Sequence, residues 1–470
     1  MNKICNDTII VIAKYLCTRN MINLSRISKD IYIMLTNNKK NMKEHVFTLC
    51  EDIKNLKFID KLSYKILNLN MRGNKNIQDD DFEYLGYVIN LNMSYCNQET
   101  ITDQAFKYLQ SIENLNMSGC NQETITNRAF ESLRGIKNIN MSYCNQITDK
   151  AFKNLKGIKS LNMSGCKQKT ITDKAFKYLK GIKRLDISYC NQDTITDLSF
   201  QYLKGIYSLN MKECSQKTIT DIAFSYLKGI KELNMEYCDQ DSITDKAFEN
   251  LKDIKNLNIS FCNQSTITDK AFSNFSGIFE LKMRACNQLT ITDSAFSHLH
   301  GIKYLDMGEC NQETITNEAF KHLKGIHTLY MDKCGQTGIN DIFKNLKGIN
   351  YLDISVANPE IFTGDSFFYL QGIHTLIMRY CHTAIINDNS FKYLKGIHTL
   401  DMYCCFQNTI THNAFQYLTD IHTLNIGNCN QISNKIFLYL NNIHTLYIRN
   451  YDNIQDTDSI FLSTVTELIL

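Results

Sequence analysis

Fourteen of the eighteen cysteines recur at one position of an internal repeat, mostly 24 residues apart, from Cys96, Cys120 and Cys144 to Cys334 and then at Cys381, Cys405 and Cys429. A unit this short cannot bury its own apolar face, so it must stack on its neighbours. In IKSLNMSGC, residues 158 to 166, Leu161 and Met163 alternate with Ser160, Asn162 and Ser164, the period of two of a strand with one buried face. In ITDKAFKYLKG, residues 171 to 181, Ala175, Phe176 and Leu179 share a helical face, Thr172 or Asp173 can cap the start, and Gly181 can end it. Each unit therefore predicts strand, turn and short helix. Successive strands then lie parallel and about 4.8 Å apart, and every repeat position becomes a column. Positions are counted here from Ile158 as 1 to Cys166 as 9.

The LxLxxC strand segment followed by ITDxAFxxL resembles the cysteine-containing class of leucine-rich repeats. That resemblance implies an α/β fold: a right-handed solenoid, or horseshoe, with parallel strands on the concave face and short helices on the convex face. Strand leucines or their substitutes, from Leu69 to Leu468, mark eighteen coils over residues 66–470. Asn74, Ala357 and Tyr451 stand where three coils lack the cysteine. The coil at Ala357, with Pro359, Phe362, Phe367 and Phe368, predicts a local bulge.

Charge and cysteine content exclude several classes. Lys and Arg number 51 against 48 Asp and Glu, a net of +3, so the balance predicts no nucleic-acid partner. No run of eighteen apolar residues predicts a membrane span. Thiols in this number without a secretory leader predict a reducing compartment, cytoplasm or nucleus, where they stay free. The column reads as buried thiols donating to carbonyls rather than as a metal wire or disulfide ladder. His327, His374, His398, His422 and His444 share position 2, where earlier coils carry Lys137, Lys159 and Lys183, and read as a solvated flank. No phosphate loop, GxSxG, HExxH or paired CxxC occurs, which predicts neither enzyme activity nor a cofactor.

Residues 1–40 do not carry the repeat. NDTIIVIAKYL, a break near residues 18 to 20, and LSRISKDIY suggest two or three short helices, too small a core to stand alone. In the order of these features the segment resembles an F-box. The resemblance implies that Ile4, Ile9, Ile10, Leu16, Leu24 and Ile27 form an apolar surface for a Skp1-like protein of a cullin ubiquitin ligase. Cys5 and Ile31 replace the proline and tryptophan usual in that module. The whole layout, with its AT-rich amino-acid usage, is similar to F-box/leucine-rich-repeat proteins of amoeba-infecting giant viruses, which places the reducing compartment in a host cell. Residues 41–65 predict a helical linker or N-terminal cap. The last strand, VTELIL, predicts self-association through an uncovered edge.

Eighteen copies also provide their own background for finding a partner site. Positions 3, 5 and 7 face the concave side, and early coils repeat Asn and Ser there, which suggests scaffold. Later coils depart from this with Arg184, Lys212, Glu232, Glu236, Glu280, Lys282, Arg284, Tyr304, Asp306, Tyr330, Asp332, Tyr351, Asp353, Ile377, Arg379, Asp401 and Tyr403. Tyrosine and arginine are enriched at binding hot spots, and Tyr304, Tyr330 and Tyr351, in consecutive coils, predict a continuous patch. The function expected is a non-enzymatic adaptor that captures a protein on this face for ubiquitination. The alternative is a scaffold or decoy that sequesters a host protein.

Overall fold

The computed structural model describes the backbone of residues 46–48, residues 56–57, and residues 67–469 apart from 341, 441–442 and 456–457. The segment predicted to resemble an F-box, with Ile4, Ile9, Ile10, Leu16, Leu24 and Ile27, lies outside the described residues. The chain divides into two compact units, residues 1–230 and 231–470. Among the described residues each is a stack of short parallel strands and one-turn helices.

In the first unit, eight strands run in register among the described residues, from β1 (Val46–Thr48) and β2 (Asn68–Asn70) to β8 (Ser208–Asn210). At Val46–Thr48, within the segment expected to be a helical linker or cap, the structure has a strand, and most of the rest of 41–65 lies outside the described residues. Phe47 pairs with Leu69 as Leu69 pairs with Leu91, so the sheet begins one coil earlier than the leucine count placed it. The signal was missed because this coil carries Phe rather than Leu and no cysteine. In the second unit eleven strands, β9 (Glu232–Asn234) to β19 (Glu467–Ile469), pair in the same way.

Every coil buries the same side chains. In one coil Ile158, Leu161, Met163, Cys166, Ile171, Ala175, Phe176 and Leu179 are all within 1% of full burial. Burying a Leu, Ile or Phe contributes about 1.5–3 kcal/mol, and the gain requires the coils on either side. The helix is shorter than the period suggested. It is one α-turn, Asp173–Phe176, followed by a 3-10 turn, Lys177–Leu179. Thr172 caps it, its hydroxyl accepting from Lys174 N at 3.2 Å. Asp173 serves the next coil instead, accepting from Thr196 N and Thr196 Oγ1 at 2.8 Å each. This Asp-to-Thr bridge recurs along both units, as at Asp149 to Thr172 and Asp269 to Thr292.

The cysteine column is an internal ladder of thiols. Cys96 and Cys120 donate to Met71 O and Met93 O of the preceding coil at 3.0 Å, and Cys286 to Ile259 O at 3.1 Å. Burial pushes the thiols up, Cys96 to about 11 and Cys286 to about 12. All the column cysteines are buried and free. The irregular coil at Ala357, where a local bulge was expected, leaves the sheet intact. Leu352 pairs with Leu329 and with Leu376 in unbroken register. The irregularity is absorbed behind the strands, where Asn358 caps a 3-10 turn, Pro359–Ile361, and Phe362 stacks on Phe343 at 5.5 Å. The 24-residue spacing is one residue short one coil earlier, where Leu329 pairs with Leu352.

Candidate protein-binding face

The exposed face of each sheet is made by positions 3, 5 and 7, and the first unit shows what it looks like without departures. At position 3, the Asn90 amide donates to Asn68, Asn114 to Asn90 and Asn138 to Asn114. At position 5, asparagine closes a turn: Asn92 Oδ1 accepts from Ser94 N at 3.1 Å and Asn140 Oδ1 from Ser142 N at 3.0 Å. A trough of about 530 Å³ lined by Asn68, Asn90, Asn114 and Asn138 thus has a floor whose amides are bonded to one another. The expectation of scaffold at these coils agrees with that geometry.

The position-5 bond also explains a feature that the sequence hid. Position 8 is left-handed throughout, at Tyr95 (φ 60), Gly119 (φ 70), Tyr143 (φ 60) and Tyr189 (φ 61). A non-glycine residue pays roughly 1–2 kcal/mol there, offset by the turn bond and by a ladder bond onward, Tyr95 N to Ser118 O at 2.8 Å. Where Gly119 follows Tyr95, the ring lies over the glycine, and a Cβ would meet it at 2.8 Å.

The departures at position 5 separate into two groups. Asp306, Asp353 and Asp401 occupy position 5 and keep its turn bond, accepting from Gly308 N, Ser355 N and Tyr403 N at 3.0, 2.9 and 3.1 Å. Aspartate there substitutes for asparagine at little structural change. Burial raises the Asp306 and Asp353 carboxyls above the usual range. Lys282, Tyr330 and Ile377 occupy the same position without a carboxamide or carboxylate, so their coils give up that bond and expose a different side chain.

The second unit brings most of the predicted residues together. Tyr330 lies between Tyr304 and Tyr351, with ring centroids 5.5 and 4.8 Å apart, so the predicted aromatic run is continuous. Burial raises the Tyr304 and Tyr351 hydroxyls, which stay protonated donors. Lys282 reaches over Tyr304 at 5.5 Å and pairs with Glu280 at 3.0 Å.

Beside the rings, Arg284 Nη1 donates to Asp332 Oδ1 at 2.9 Å, while Nη2 donates to the other Asp332 oxygen and to Glu309 Oε1 at 3.2 Å. Those bonds raise the guanidinium's pKa, chiefly through Asp332. Arg284 and Asp332 sit two coils apart and meet over Gly308, whose missing side chain opens the passage: a Cβ would stand 2.6 Å from Asp332 Oδ1 and nearer still to Arg284. Arg379 Nε donates to Asp401 Oδ2 at 2.7 Å. Tyr403 meets Tyr380 edge-on at 5.6 Å and accepts from Asn428 at 2.6 Å. Glu232 and Glu236 lie on the first coil of this unit, Asn258 donating to Glu236 at 3.3 Å. Arg184 and Lys212 belong to the first unit, Arg184 over Tyr207 at 5.6 Å. Sequence reasoning missed Glu309, Lys333 and Gly308. Glu309 and Lys333 are at position 8, outside the positions 3, 5 and 7 counted as the concave face, and pair at 2.9 Å.

The flank at position 2 is likewise more ordered than a solvated stripe. His374, His398, His422 and His444 stack at 4.5, 4.4 and 4.6 Å with nearly parallel planes. Each Nδ1 lies 3.0 to 3.1 Å from the hydroxyl of the following threonine. Desolvation, then His374 and His422, lower His398. Among the described residues no three His, Cys, Asp or Glu converge as metal ligands, and no helix is long and apolar enough to cross a membrane.

Six copies of the BspA type leucine rich repeat region match residues 75–207, 193–327 and 339–464. No curated protein matches the sequence. Among solved structures, the chain is similar to TLR13 in its complex with ssRNA13 (TM-score 0.60, 15% identity, 91% of this chain and 66% of that one). It is also similar to the Toll–Spatzle complex of Drosophila (TM-score 0.54, 14% identity, 88% of this chain and 56% of that one). The chain thus spans under two thirds of the length of these structures. At these identities the likeness shows the fold alone, a repeat solenoid.

Proposed function

The chain belongs to the BspA-type leucine-rich-repeat family, and on that premise we propose that it is a substrate-recognition adaptor of a Skp1–cullin type ubiquitin ligase. Leucine-rich repeats of this kind are protein-binding scaffolds. In this chain the capturing surface is the sheet face of the second unit, and the observation that carries the reading is the tyrosine run. Three phenol rings in contact, flanked by Arg284, Asp332, Asp353 and Arg379, replace side chains that elsewhere satisfy one another. Tyrosines present large area and a directional hydroxyl at low entropic cost. Residues 1–40 supply the ligase contact through Ile4, Ile9, Ile10, Leu16, Leu24 and Ile27, a role supported by the order of features that resembles an F-box. The repeats hold a target near another protein's active centre, so that proximity does the catalytic work.

The test is recovery of a Skp1-like protein by the full chain and by the variant Ile10→Asp/Leu16→Asp. The adaptor predicts at least a tenfold loss in the variant, while Tyr330→Ala/Tyr351→Ala retains Skp1 and loses the target. Equal recovery by both chains would leave the second reading, a scaffold or decoy that sequesters a host protein without a ligase. That reading is favoured by the same tyrosine run and by the departures of Cys5 and Ile31 from the F-box pattern.

A further inference from the structure

The chain's net charge of +3 conceals a strongly polarised distribution. Residues 148–184 hold eleven Lys and Arg and two Asp, a net of +9, which leaves −6 for everything else. The two acids are already occupied. Asp149 accepts from Thr172 N and Oγ1 at 2.8 and 2.7 Å, and Asp173 accepts from the same two groups of Thr196 at 2.8 Å. Both carboxylates therefore face the coil stack and serve as its bridges.

The lysines face outward. Lys153, Lys156 and Lys159 follow one another at intervals of three along the end of one helix and its turn, and Lys177, Lys180 and Lys183 repeat them one coil later. All six are exposed. The backbone bond Lys183 N to Lys159 O, 2.9 Å, locks the two rows in register, so they form a grid with rows roughly 4.8 Å apart. Tyrosines interleave with it on the C-terminal side. Tyr178 lies under Lys177 at 4.7 Å, and Tyr202 and Tyr226 occupy the same repeat position in the next two coils, with Lys204 over Tyr226 at 5.6 Å.

We propose that this edge of the first unit binds the phosphate backbone of a single-stranded nucleic acid, with the tyrosine column as a stacking platform for its bases. A grid of exposed cations with no ion-pair partner among the described residues, of which Lys183 Nζ donates to Gly205 O at 3.1 Å, fits a linear polyanion, because each phosphate it neutralises releases a condensed counterion. Aromatic planes beside such a track distinguish a ligand with bases from one that only carries charge. The site belongs to the first unit alone and does not rest on the adaptor reading.

The test is fluorescence anisotropy of the full chain with a labelled fifteen-nucleotide oligothymidylate. With about four phosphates engaged, the single-strand slope of roughly −0.7 per contact gives a loss of about 50-fold in affinity between 50 and 200 mM salt. Lys156→Gln/Lys180→Gln flattens that slope by about 1.4, and Lys156→Glu/Lys180→Glu weakens binding more than tenfold. Tyr178→Ala/Tyr202→Ala weakens the oligonucleotide at least about 30-fold, two stacked bases at the low end of roughly 1–3 kcal/mol each, and leaves heparin affinity unchanged. All these side chains are surface-exposed or partly so, and unchanged circular dichroism verifies each variant's fold. Binding that ignores salt, or survives the lysine changes, overturns the proposal. Equal loss of heparin and oligonucleotide in the tyrosine variant also overturns it, in favour of a surface that reads charge alone.

Discussion

Gly308 permits an ion pair that joins coils not adjacent to each other, and filling it with one methyl group isolates the contribution of that pair. Arg284 and Asp332 are about one quarter and one seventh exposed and meet directly over the glycine. Gly308 does not adopt a left-handed backbone, so alanine is sterically excluded by the two side chains and not by φ. Hydrogen bonds to charged groups contribute about 1.5–3 kcal/mol. Partial exposure screens this pair, so about 1–2 kcal/mol is expected to be lost in Gly308→Ala. Alanine returns about 0.4–1 kcal/mol by restricting the unfolded chain, for a net loss of up to about 1.6 kcal/mol. In an Asp332→Ala background the methyl group has little left to break, and the same change becomes neutral or stabilising. The assay is hydrogen exchange at the Glu309 amide, which donates to Asp332 O at 2.8 Å across the coil boundary, because a solenoid of this length need not unfold in one step. Equal losses from Gly308→Ala with and without Asp332 would refute the mechanism.

Three further outcomes follow from the columns. Asp269→Ala removes the acceptor of Thr292 N and Oγ1 and should destabilise the second unit by about 1–3 kcal/mol in urea titration. Asp269→Asn should cost far less, since Asn127 makes both bonds to Thr148 at 3.0 Å. The column thiols, raised to about 11 at Cys96 and about 12 at Cys286 by burial, should resist a thiol reagent at pH 8 until urea unfolds the coils. Because their folded pKa exceeds the unfolded value of 9.0, their stabilising contribution is complete below pH 9 and is lost as pH climbs toward 11–12, measurable as a falling urea midpoint. His398, lowered by desolvation and by its stacked neighbours, should titrate below 6.5 by NMR. Its contribution is present above that pH and lost as pH falls through the lowered value, so His398→Gln should flatten the acid limb of stability.

Much of the fold was legible because repetition makes each residue's environment periodic. Leu161 and Met163 gave the strand, Phe176 and Leu179 the helix, and the cysteines the register, since the same apolar set must meet itself in the next coil. Tyr304, Tyr330 and Tyr351 could be named as neighbours for the same reason. What escaped was anything set by bonds between coils at chemically ambiguous positions. Thr172 and Asp173 are both plausible caps, and only the next coil's Thr196 decides that the aspartate bridges coils while the threonine caps. Asp306, Asp353 and Asp401 read as charged departures, yet they make the turn bond that asparagine makes. Strand β1 went unseen because its coil lacks both markers of the repeat.

The sequence by itself therefore determined the architecture: a period near 24, a fixed apolar set and a cysteine ruler admit only a stack of parallel coils. The tertiary structure decided which polar residues are spent on the stack and which are left to act. Stacking converts spacing along the chain into lateral distance of a few ångströms. Arg284 thereby reaches Asp332 over a glycine, Asp149 and Asp173 are withdrawn into bridges, and six lysines scattered among thirty residues become one exposed grid. Total charge cannot reveal such a surface, because the sum is blind to which charges the fold has already paired.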